Sequence, residues 1–281
     1  MSSEREHRPA GQVSPGGPPL LSARHVSKHF GPVHAVDDVS LDVYRNEIVG
    51  LIGDNGAGKS TFLSLLTGFF RPDAGDFLHE GQPVEITSPR LSRRRLGIEM
   101  IYQDLRLAPD LTVCQNLFLG EEPRLLGLLS DRRAMRKRAA DVLGRLTSNV
   151  RPSDVVGNLS GGEQQVVAIA RALLFERQII LMDEPTAAIS AEKVEGVLDL
   201  VRQLKELEKT VVIVSHRLED ILAVADRIVV FSRGRVRAVL DNEDLTIDDL
   251  VHVMFGSDNH VVPAAGASAA RWQARQGARA D

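Results

Sequence analysis

The most consequential pattern in this chain is the run Gly53-Asp54-Asn55-Gly56-Ala57-Gly58-Lys59-Ser60. It matches G-x-x-x-x-G-K-[ST], in which the backbone N–H groups of a glycine-rich loop surround nucleotide phosphates. Residues 47–52 predict a buried strand before the loop, and residues 60–66 predict a helix after it. Such a unit points several unpaired N–H donors and the positive end of a helix at one position. The sequence therefore predicts an anion site on an α/β sheet.

Individual residues of this loop have separable roles. Glycines let the backbone come close to phosphates. Lys59 is expected to neutralise the β- and γ-phosphates, and the Ser60 hydroxyl is expected to ligate Mg²⁺. A chance match is expected in roughly one chain of this size in a hundred at average glycine usage. By itself the loop indicates an NTPase or a kinase, so the class depends on the rest of the chain.

Residues 159–165 form a second glycine-containing motif, Leu-Ser-Gly-Gly-Glu-Gln-Gln, ahead of a long helical pattern. Ser160 is predicted to cap the helix, with Glu163 completing a capping box. Gly161 and Gly162 occupy the first helical positions, although a glycine costs roughly 1 kcal/mol in a helix interior. This cost makes sense if something must approach the helix end closely, and a second phosphate would qualify.

Polar residues also follow two apolar runs that are predicted to be strands. Asp183 and Glu184 end the run at residues 178–182, and His216 follows the run at residues 210–214. Ligands of open α/β sheets bind beyond the carboxyl ends of the strands, so the two acids suit a Mg²⁺ ligand and a water-orienting base. A single histidine at a strand end is more often structural, but here it joins other polar groups at the same predicted edge.

In combination and order, these motifs resemble the nucleotide-binding subunit of ATP-binding cassette (ABC) transporters, from about Leu21 to Phe255. The resemblance implies an α/β fold: a P-loop NTPase (RecA-like) core sheet with an N-terminal antiparallel β subdomain and an inserted α-helical subdomain. It also implies ATP and Mg²⁺ as cofactors, and ATP hydrolysis coupled to transport across a membrane.

The resemblance assigns roles to residues. Phe30 corresponds to the aromatic residue that stacks on adenine, and Gln103 to the glutamine that touches Mg²⁺ or the attacking water and reports to the membrane partner. A phenylalanine before a glycine is usually in the core, so this assignment depends on register with the phosphate loop. Asp183 corresponds to the aspartate beside Mg²⁺, Glu184 to the catalytic carboxylate and His216 to the switch histidine.

The predicted site residues fall into three groups. The nucleotide-binding group includes the signature, residues 160–162, which corresponds to the segment that binds the γ-phosphate held by the other subunit. That group is Phe30, Gly53, Asp54, Asn55, Gly56, Ala57, Gly58, Lys59, Ser60, Thr61, Ser160, Gly161 and Gly162. The catalytic group is Glu184, His216 and Gln103. The metal-binding group is Ser60, Gln103 and Asp183.

One segment departs from the common family pattern. After residues 184–186, many members carry a Ser-Ala-Leu-Asp-like sequence, whereas this chain has Ala187-Ala188-Ile189-Ser190. Ser190 stands where an aspartate is usual, which puts in doubt the usual hydrogen bond from this loop across the dimer. A loop with no strong demand at this position explains the serine equally well.

Composition limits the classes of protein. The chain has 281 residues and a formal net charge of −4, which argues against electrostatic binding of nucleic acid. Its one cysteine, Cys114, excludes a disulfide framework. No apolar run approaches the ~18 residues of a membrane-spanning helix, and the polar N-terminus lacks a signal-peptide core. We expect a disordered lead-in at residues 1–20, a domain at residues 21–256 and a disordered tail at residues 257–281.

The expected domain has a β-rich part and a helical insertion. Residues 21–50 and 74–103 predict short strands and turns, and the first of these ranges contains Phe30. Residues 104–158 lack strand signals and form the insertion. Its predicted helix at residues 131–146 has a basic face, for which a solvated surface is the default interpretation. Contact with anionic lipid headgroups or an acidic partner is the alternative.

The chain has one phosphate loop, one signature and no internal repeat, which indicates a single nucleotide-binding domain. Because the resemblance implies that each complete site takes these two motifs from different subunits, we expect a C₂ homodimer with two equivalent ATP molecules. ATP would favour the closed dimer, and hydrolysis would remove that preference.

Four segments are similar to bacterial simple-sugar importers of the ribose, xylose and fructose type: residues 99–104, 113–121, 184–188 and 215–221. The expected partners are a membrane permease and, indirectly, a periplasmic solute-binding protein, at the cytoplasmic face of the inner membrane. Import of an amino acid or a nucleoside is an alternative, and a soluble non-transport ATPase is another. A plain kinase is disfavoured because it needs neither the signature nor His216.

Overall fold

The protein is described by a computed structural model over residues 17–125, 129–146, 148–187 and 189–256. The predicted tail at residues 257–281 and most of the predicted lead-in lie outside these described residues. Leu20, which falls within the predicted lead-in, is buried, and its N–H donates to the Val43 carbonyl at 2.8 Å. The packed chain therefore includes Leu20.

Strands and helices alternate along most of the chain. The strands are β1 (Leu21–Phe30), β2 (Val33–Val43), β3 (Ile48–Gly53), β4 (Ala74–His79), β5 (Gln82–Val84), β6 (Ile98–Ile101), β7 (Arg124–Leu125), β8 (Leu129–Ser130), β9 (Ile179–Asp183), β10 (Thr210–Val214), β11 (Arg227–Ser232) and β12 (Arg235–Asp241). The helices are α1 (Lys59–Leu66), α2 (Pro89–Leu91), α3 (Val113–Phe118), α4 (Arg132–Leu143), α5 (Gly161–Leu174), α6 (Ala191–Glu206), α7 (Leu218–Val224) and α8 (Ile247–Phe255). A π-helical turn, Ser92–Leu96, follows α2, and a 3₁₀ turn, Val156–Asn158, precedes α5.

The core is a six-stranded sheet in the order β12-β11-β3-β10-β9-β6. Neighbouring strands are parallel except β11 and β12, which form an antiparallel hairpin at one edge. Every residue of β3 and β10 is buried, as expected for parallel strands that are covered on both faces. The carboxyl ends of β3, β10, β9 and β6 meet at one edge, and the predicted core sheet is confirmed.

An antiparallel sheet in the order β2-β1-β4-β5 forms the predicted N-terminal β subdomain. Its buried side shares one hydrophobic cluster with α1 and with one face of the core sheet. Members of this cluster include Val26, Val39 and Phe77 from the antiparallel sheet, Phe62 and Leu66 from α1, and Leu51 and Leu181 from the core. The cluster therefore fixes the position of β1 and β2 relative to the phosphate loop.

One strand lies in a different sheet from the one that the sequence predicts. Residues 98–101, expected in the β-rich N-terminal part, pair with β9 in parallel, with Ile98 opposite Ile179. Gly97 has φ 64°, and its carbonyl accepts the N–H groups of both Gln178 and Ile179. This contact between residues far apart in the sequence starts the β6–β9 ladder. A local sequence pattern cannot predict such a contact.

The helical insertion consists mainly of α3, α4 and the connecting turns. Asp131 caps α4 by accepting the Ala134 N–H at 2.9 Å, so the helix begins where it was predicted, although it ends at Leu143. The basic residues of its polar face are exposed. The insertion also contains the short hairpin of β7 and β8, which the sequence did not predict. Among the described helices, none combines the length and apolar character needed to cross a bilayer.

Candidate functional site

The phosphate loop joins the end of β3 to the start of α1, and its glycines have conformations that other residues rarely adopt. Gly53 has φ 147°, and a Cβ there would lie 2.3 Å from the Phe231 carbonyl oxygen. Gly58 has φ 103°, and a Cβ there would lie 2.2 Å from the Ala35 carbonyl oxygen. No side chain among the described residues caps the start of α1. Its first N–H groups are therefore available to an anion.

Lys59 folds back across this loop. Its Nζ donates to the Gly53 carbonyl at 2.7 Å and to the Asp54 carbonyl at 3.0 Å, and the residue is buried. Burial lowers the pKa of Lys59, while the carboxylates of Glu184 and Asp183 act in the opposite direction. A cation is thus held within the loop and within electrostatic reach of the two acids.

Ser60 and Asp183 bring the loop and the end of β9 together. The Ser60 hydroxyl donates to Asp183 Oδ1 at 3.3 Å. Burial raises the pKa of Asp183, and the Ser60 hydrogen bond and Lys59 oppose this effect. A hydroxyl and a carboxylate oxygen side by side are hard ligands of the kind that Mg²⁺ binds. The donor set therefore fits the predicted metal.

Glu184 follows β9 in a left-handed backbone conformation with φ 52°. Its N–H donates to the Val214 carbonyl at 2.8 Å, and its Oε2 lies 2.5 Å from Nδ1 of His216. A left-handed residue other than glycine costs roughly 1–2 kcal/mol, and such strain concentrates at functional positions. The end of β10 and the residues after it thus hold both the backbone and the side chain of Glu184.

Gln103 reaches the same sheet edge from β6. Ile101 pairs with Met182, so Gln103 and Glu184 each lie two residues beyond a paired position on neighbouring strands. Gln103 is exposed. Its register position places it at the edge that holds the acids. Among the described residues, its side chain makes no hydrogen bond to the other predicted site residues.

Phe30 ends β1 and is 42% exposed, which excludes the core position that a phenylalanine before a glycine usually has. The Phe30 ring meets the Phe70 ring edge-on, with centroids 5.0 Å apart and planes at 70°. Phe70 in turn meets Phe69 at a centroid distance of 4.9 Å. An exposed ring that is oriented by a second ring is suited to stacking on a planar ligand.

The signature lies at the start of α5, where the predicted capping box is confirmed. The Ser160 N–H and hydroxyl donate to Glu163 Oε2 at 2.8 and 2.7 Å, and these bonds lower the pKa of Glu163. A Cβ on Gly162 would meet nothing within 4 Å, and one on Gly161 would meet only Ile189 Cγ1 at 3.9 Å. The packing of the described residues therefore does not require glycine at either position. The side-chain hydrogen bonds of Ser160 in the described chain stay within this box and do not reach the phosphate loop.

One buried pair beside the site was not predicted from the sequence. Thr186, two residues after Glu184, donates its hydroxyl to Asp220 Oδ2 at 2.7 Å, and both side chains are buried. The pair ties the segment after Glu184 to α7, which follows His216. No sequence signal distinguishes Asp220 from its exposed neighbour Glu219.

Ser190, which replaces the usual aspartate, is exposed and is the N-cap residue of α6. Its side chain makes no capping hydrogen bond. The preceding Ala188 lies outside the described residues. Within the described part of one chain, nothing requires a carboxylate at this position.

Comparison with known proteins gives consistent matches. The matching family model is ABC transporter, over residues 36–187. The ribose import ATP-binding protein of Burkholderia ambifaria is 42% identical over 245 residues, covering 85% of this chain and 47% of that protein. The xylose/arabinose import ATP-binding protein of Sulfolobus acidocaldarius is 42% identical over 240 residues, covering 84% of this chain and 93% of that protein. The chain thus spans about half the length of the first relative and nearly all of the second.

A solved structure extends the comparison to the fold. The dimeric post-hydrolysis state of an ATP-binding cassette, bound to ADP and Pi, matches with a TM-score of 0.66 at 27% identity. The match covers 80% of this chain and 100% of that one. The family model alone covers more than half of the 281 residues, and it contains both the phosphate loop and the acid pair. The family model and these relatives agree with the motifs and with the sheet edge that carries the phosphate loop and the acids. The chain therefore belongs to the ABC transporter family.

Proposed function

We propose that the chain is the ATP-binding and ATP-hydrolysing subunit of an importer and that it energises the uptake of a simple sugar. One observation carries the proposal: a phosphate loop, a hydroxyl–carboxylate pair and a carboxylate–imidazole pair meet at one sheet edge. Ser60 contacts Asp183, and Glu184 contacts His216. A chain that only bound a nucleotide would need the loop but not the second pair.

The loop at residues 53–61 binds the triphosphate of ATP. Its glycines let the phosphates come close to the backbone, and the uncapped N–H groups of α1 supply hydrogen-bond donors. Lys59 neutralises the β- and γ-phosphates. This side chain already lies in the loop, and its Nζ exchanges the Gly53 and Asp54 carbonyls for the phosphates. Phe30 stacks on the adenine ring.

Ser60 and Asp183 hold Mg²⁺, with Gln103 as a further ligand or as a contact to the attacking water. When bound, the ion neutralises charge on the β- and γ-phosphates. Burial disfavours the ionised form of Asp183, and a neighbouring cation restores that form. The three side chains come from α1, β9 and the segment after β6, so the sheet edge itself sets their spacing.

Glu184 orients and polarises the water that attacks the γ-phosphate. Its carboxylate cannot turn freely, because His216 bonds one oxygen and the Val214 carbonyl holds the backbone N–H. A positioned base of this kind contributes about 10²–10⁴ to the rate. His216 follows β10 and serves as the switch that links the carboxylate to the γ-phosphate.

Two copies of the chain complete each other's sites. Each copy has one phosphate loop and one signature, and the space around Gly161 and Gly162 is open in the described chain. ATP in the loop of one copy binds the signature of the other, so ATP favours the closed C₂ dimer and hydrolysis reopens it. The dimeric state of the related cassette supports this arrangement.

The relatives support the proposed solute class, since their names specify ribose import and xylose/arabinose import. A membrane permease holds the dimer at the cytoplasmic face of the inner membrane, and a periplasmic solute-binding protein delivers the sugar. The proposed ATP-binding domain comprises residues 21–256 together with the packed Leu20, and its helical insertion spans about residues 104–158.

Glu184→Gln in the complex with its permease tests the proposal. We expect ATP binding to be retained, the ATP-bound dimer to accumulate and turnover to fall about 10²–10⁴-fold. Glu219→Gln, an exposed glutamate on α7, is the matched control and should turn over normally. Near-wild-type hydrolysis by Glu184→Gln would refute the catalytic assignment. Stimulation of the reconstituted complex by an amino acid but not by ribose or xylose would refute sugar import.

A further inference from the structure

Three side chains that the nucleotide site does not use converge at the turn end of the β1–β2 hairpin. One ligand atom each from His29, His34 and Asp37 can be chosen so that all lie within 4.8 Å of one another. The two imidazole rings have centroids 4.2 Å apart and planes inclined at 50°. Imidazole nitrogens with a carboxylate oxygen are a donor set typical of Zn²⁺ and related transition metals.

The strand register explains why these residues share one face. His29 pairs directly with His34, whereas Lys28 pairs with Val36, so Ala35 is left without a partner on β1. An extra residue of this kind forms a β-bulge, and it shifts the alternation of side chains along the strand. Asp37, three residues beyond His34, therefore returns to the face that carries the histidines.

The backbone of the cluster is fixed by hydrogen bonds from other parts of the fold. The His29 N–H donates to Asp73 Oδ2 at 2.7 Å, and the Asp37 N–H donates to the Gly234 carbonyl at 2.8 Å. His34 is exposed, so a metal ion can reach it from solvent. The ligand positions are thus set before any ion binds, which reduces the cost of assembling the site.

We propose that His29, His34 and Asp37 bind one divalent transition-metal ion of the Zn²⁺ class. With bonds of about 2.0–2.1 Å in a tetrahedral site, ligand atoms are about 3.3 Å apart. The side chains therefore need only modest rotation from their present spacing. Water fills the fourth position. The site lies on the hairpin and is separate from the hard oxygen ligands Ser60 and Asp183.

Arg235 competes with the ion for the carboxylate. Its Nε and Nη2 lie 2.8 and 2.7 Å from Asp37 Oδ2. Binding of a metal must release this ion pair or share the carboxylate with it. Removal of the guanidinium should therefore strengthen metal binding, whereas removal of a ligand should weaken it. A surface histidine that binds metal nonspecifically would not lose affinity when Asp37 is replaced.

The experiment titrates the full chain, free of nucleotide and in excess Mg²⁺, with Zn²⁺ by calorimetry and with Co²⁺ by visible absorption. We expect His34→Ala and Asp37→Asn each to weaken binding at the site by at least about tenfold, since even outer-shell changes cost 10–100-fold. Arg235→Gln should tighten it. The control is His25→Ala. His25 pairs with Asp38 on the same strands at 2.8 Å, but among the described residues no third metal-ligating side chain joins this pair.

Each readout bears on the proposal. Support requires tetrahedral Co²⁺ absorption in the wild type that is lost in His29→Ala and kept in His25→Ala. Circular dichroism identifies a variant that has unfolded, and His34→Gln then replaces His34→Ala as a milder change. The proposal is overturned if the double variant His29→Ala/His34→Ala binds Zn²⁺ as well as the wild type. It is also overturned if Asp37→Asn leaves the affinity unchanged or if Arg235→Gln weakens binding.

Discussion

Glu184 combines a left-handed backbone with a side chain that the proposed chemistry needs. Its left-handed φ of 52° is maintained by the hydrogen bond from its N–H to the Val214 carbonyl. A glycine would adopt this conformation without strain, but it would have no carboxylate to place beside His216. The strain at Glu184 is therefore explained if the position requires a carboxylate side chain.

We expect Glu184→Gly to unfold with a free energy about 1 kcal/mol higher than Glu184→Ala, because only glycine relieves the left-handed strain. Both variants should lack ATPase activity. Urea titration and a steady-state ATPase assay measure the two effects. Glu208, which is exposed and has φ 58°, is the matched control: Glu208→Gly should show the same gain over Glu208→Ala with activity retained. Equal stability of the two Glu184 variants would show that its backbone is not strained.

Phe30→Ala should weaken ATP binding by about tenfold to a hundredfold, because stacking of a base on an aromatic ring is worth about 1–3 kcal/mol. GTP should be affected to a similar degree, since stacking does not read the base edge. Fluorescent nucleotide binding measures the affinity. Phe69→Ala is the control, because Phe69 is exposed and contacts Phe70 but is not predicted to touch the base. Unchanged affinity together with a large loss of thermal stability would support a structural role instead.

At the scale of residues, the sequence predicts where the polar groups lie better than which of them touch. The predicted positions at the sheet edge rest on the apolar runs that precede Asp183, Glu184 and His216. The structure confirms these positions, because β9 ends at Asp183 and β10 ends two residues before His216. The direct contact between Glu184 and His216 depends on the order of β9 and β10 in the sheet, which periodicity does not specify. The Thr186–Asp220 bond depends in the same way on the packing of α7.

At the scale of elements, the start of α5 is the feature that the fold itself explains least. Glycine is the weakest ordinary helix former, yet the described residues leave space for a side chain at Gly162. The capping box of Ser160 and Glu163 stabilises the helix start despite the two glycines. A close approach by a ligand of the partner copy is the physical reason we propose for them.

Gly162→Ala is therefore expected to raise the free energy of unfolding by about 0.5–1 kcal/mol while lowering ATPase activity, because the added methyl group occupies the path of the phosphate. Chemical denaturation and ATPase assays give the two values. Gly196→Ala in α6 is the control, since a Cβ there also meets nothing within 4 Å; it should give the same gain with full activity. Full activity in Gly162→Ala would contradict the close approach.

The elements also show where prediction from sequence fails. Long periodic segments such as α4 and α5, and the apolar strands β3, β9 and β10, are predicted because each carries its own pattern. The sequence places β6 in the wrong part of the fold, because a short apolar strand gives the same pattern in either sheet. It does not predict the β7–β8 hairpin, because strands of two residues carry no periodic signal.

At the scale of the whole molecule, one chain supplies half of each proposed site. The phosphate loop and the acids lie at the edge of the core sheet. The signature lies at the start of α5, and within the described chain it makes no side-chain hydrogen bond to the phosphate loop. In the homodimer that we propose, each signature lies opposite the other chain's nucleotide, so ATP stabilises the closed pair.

The most direct test mixes two inactive variants, Lys59→Ala, which should lose phosphate binding in its own loop, and Ser160→Arg, which should bind ATP but block closure. Heterodimers then contain one site with both lesions and one site with neither. ATPase activity is expected to reappear in the mixture, although it can stay well below half the wild-type rate if the two sites act together. Nucleotide trapped in one site per heterodimer would establish shared sites in that case. If cross-linking shows heterodimers while neither activity nor single-site trapping appears, the signature does not act on the nucleotide of the partner copy.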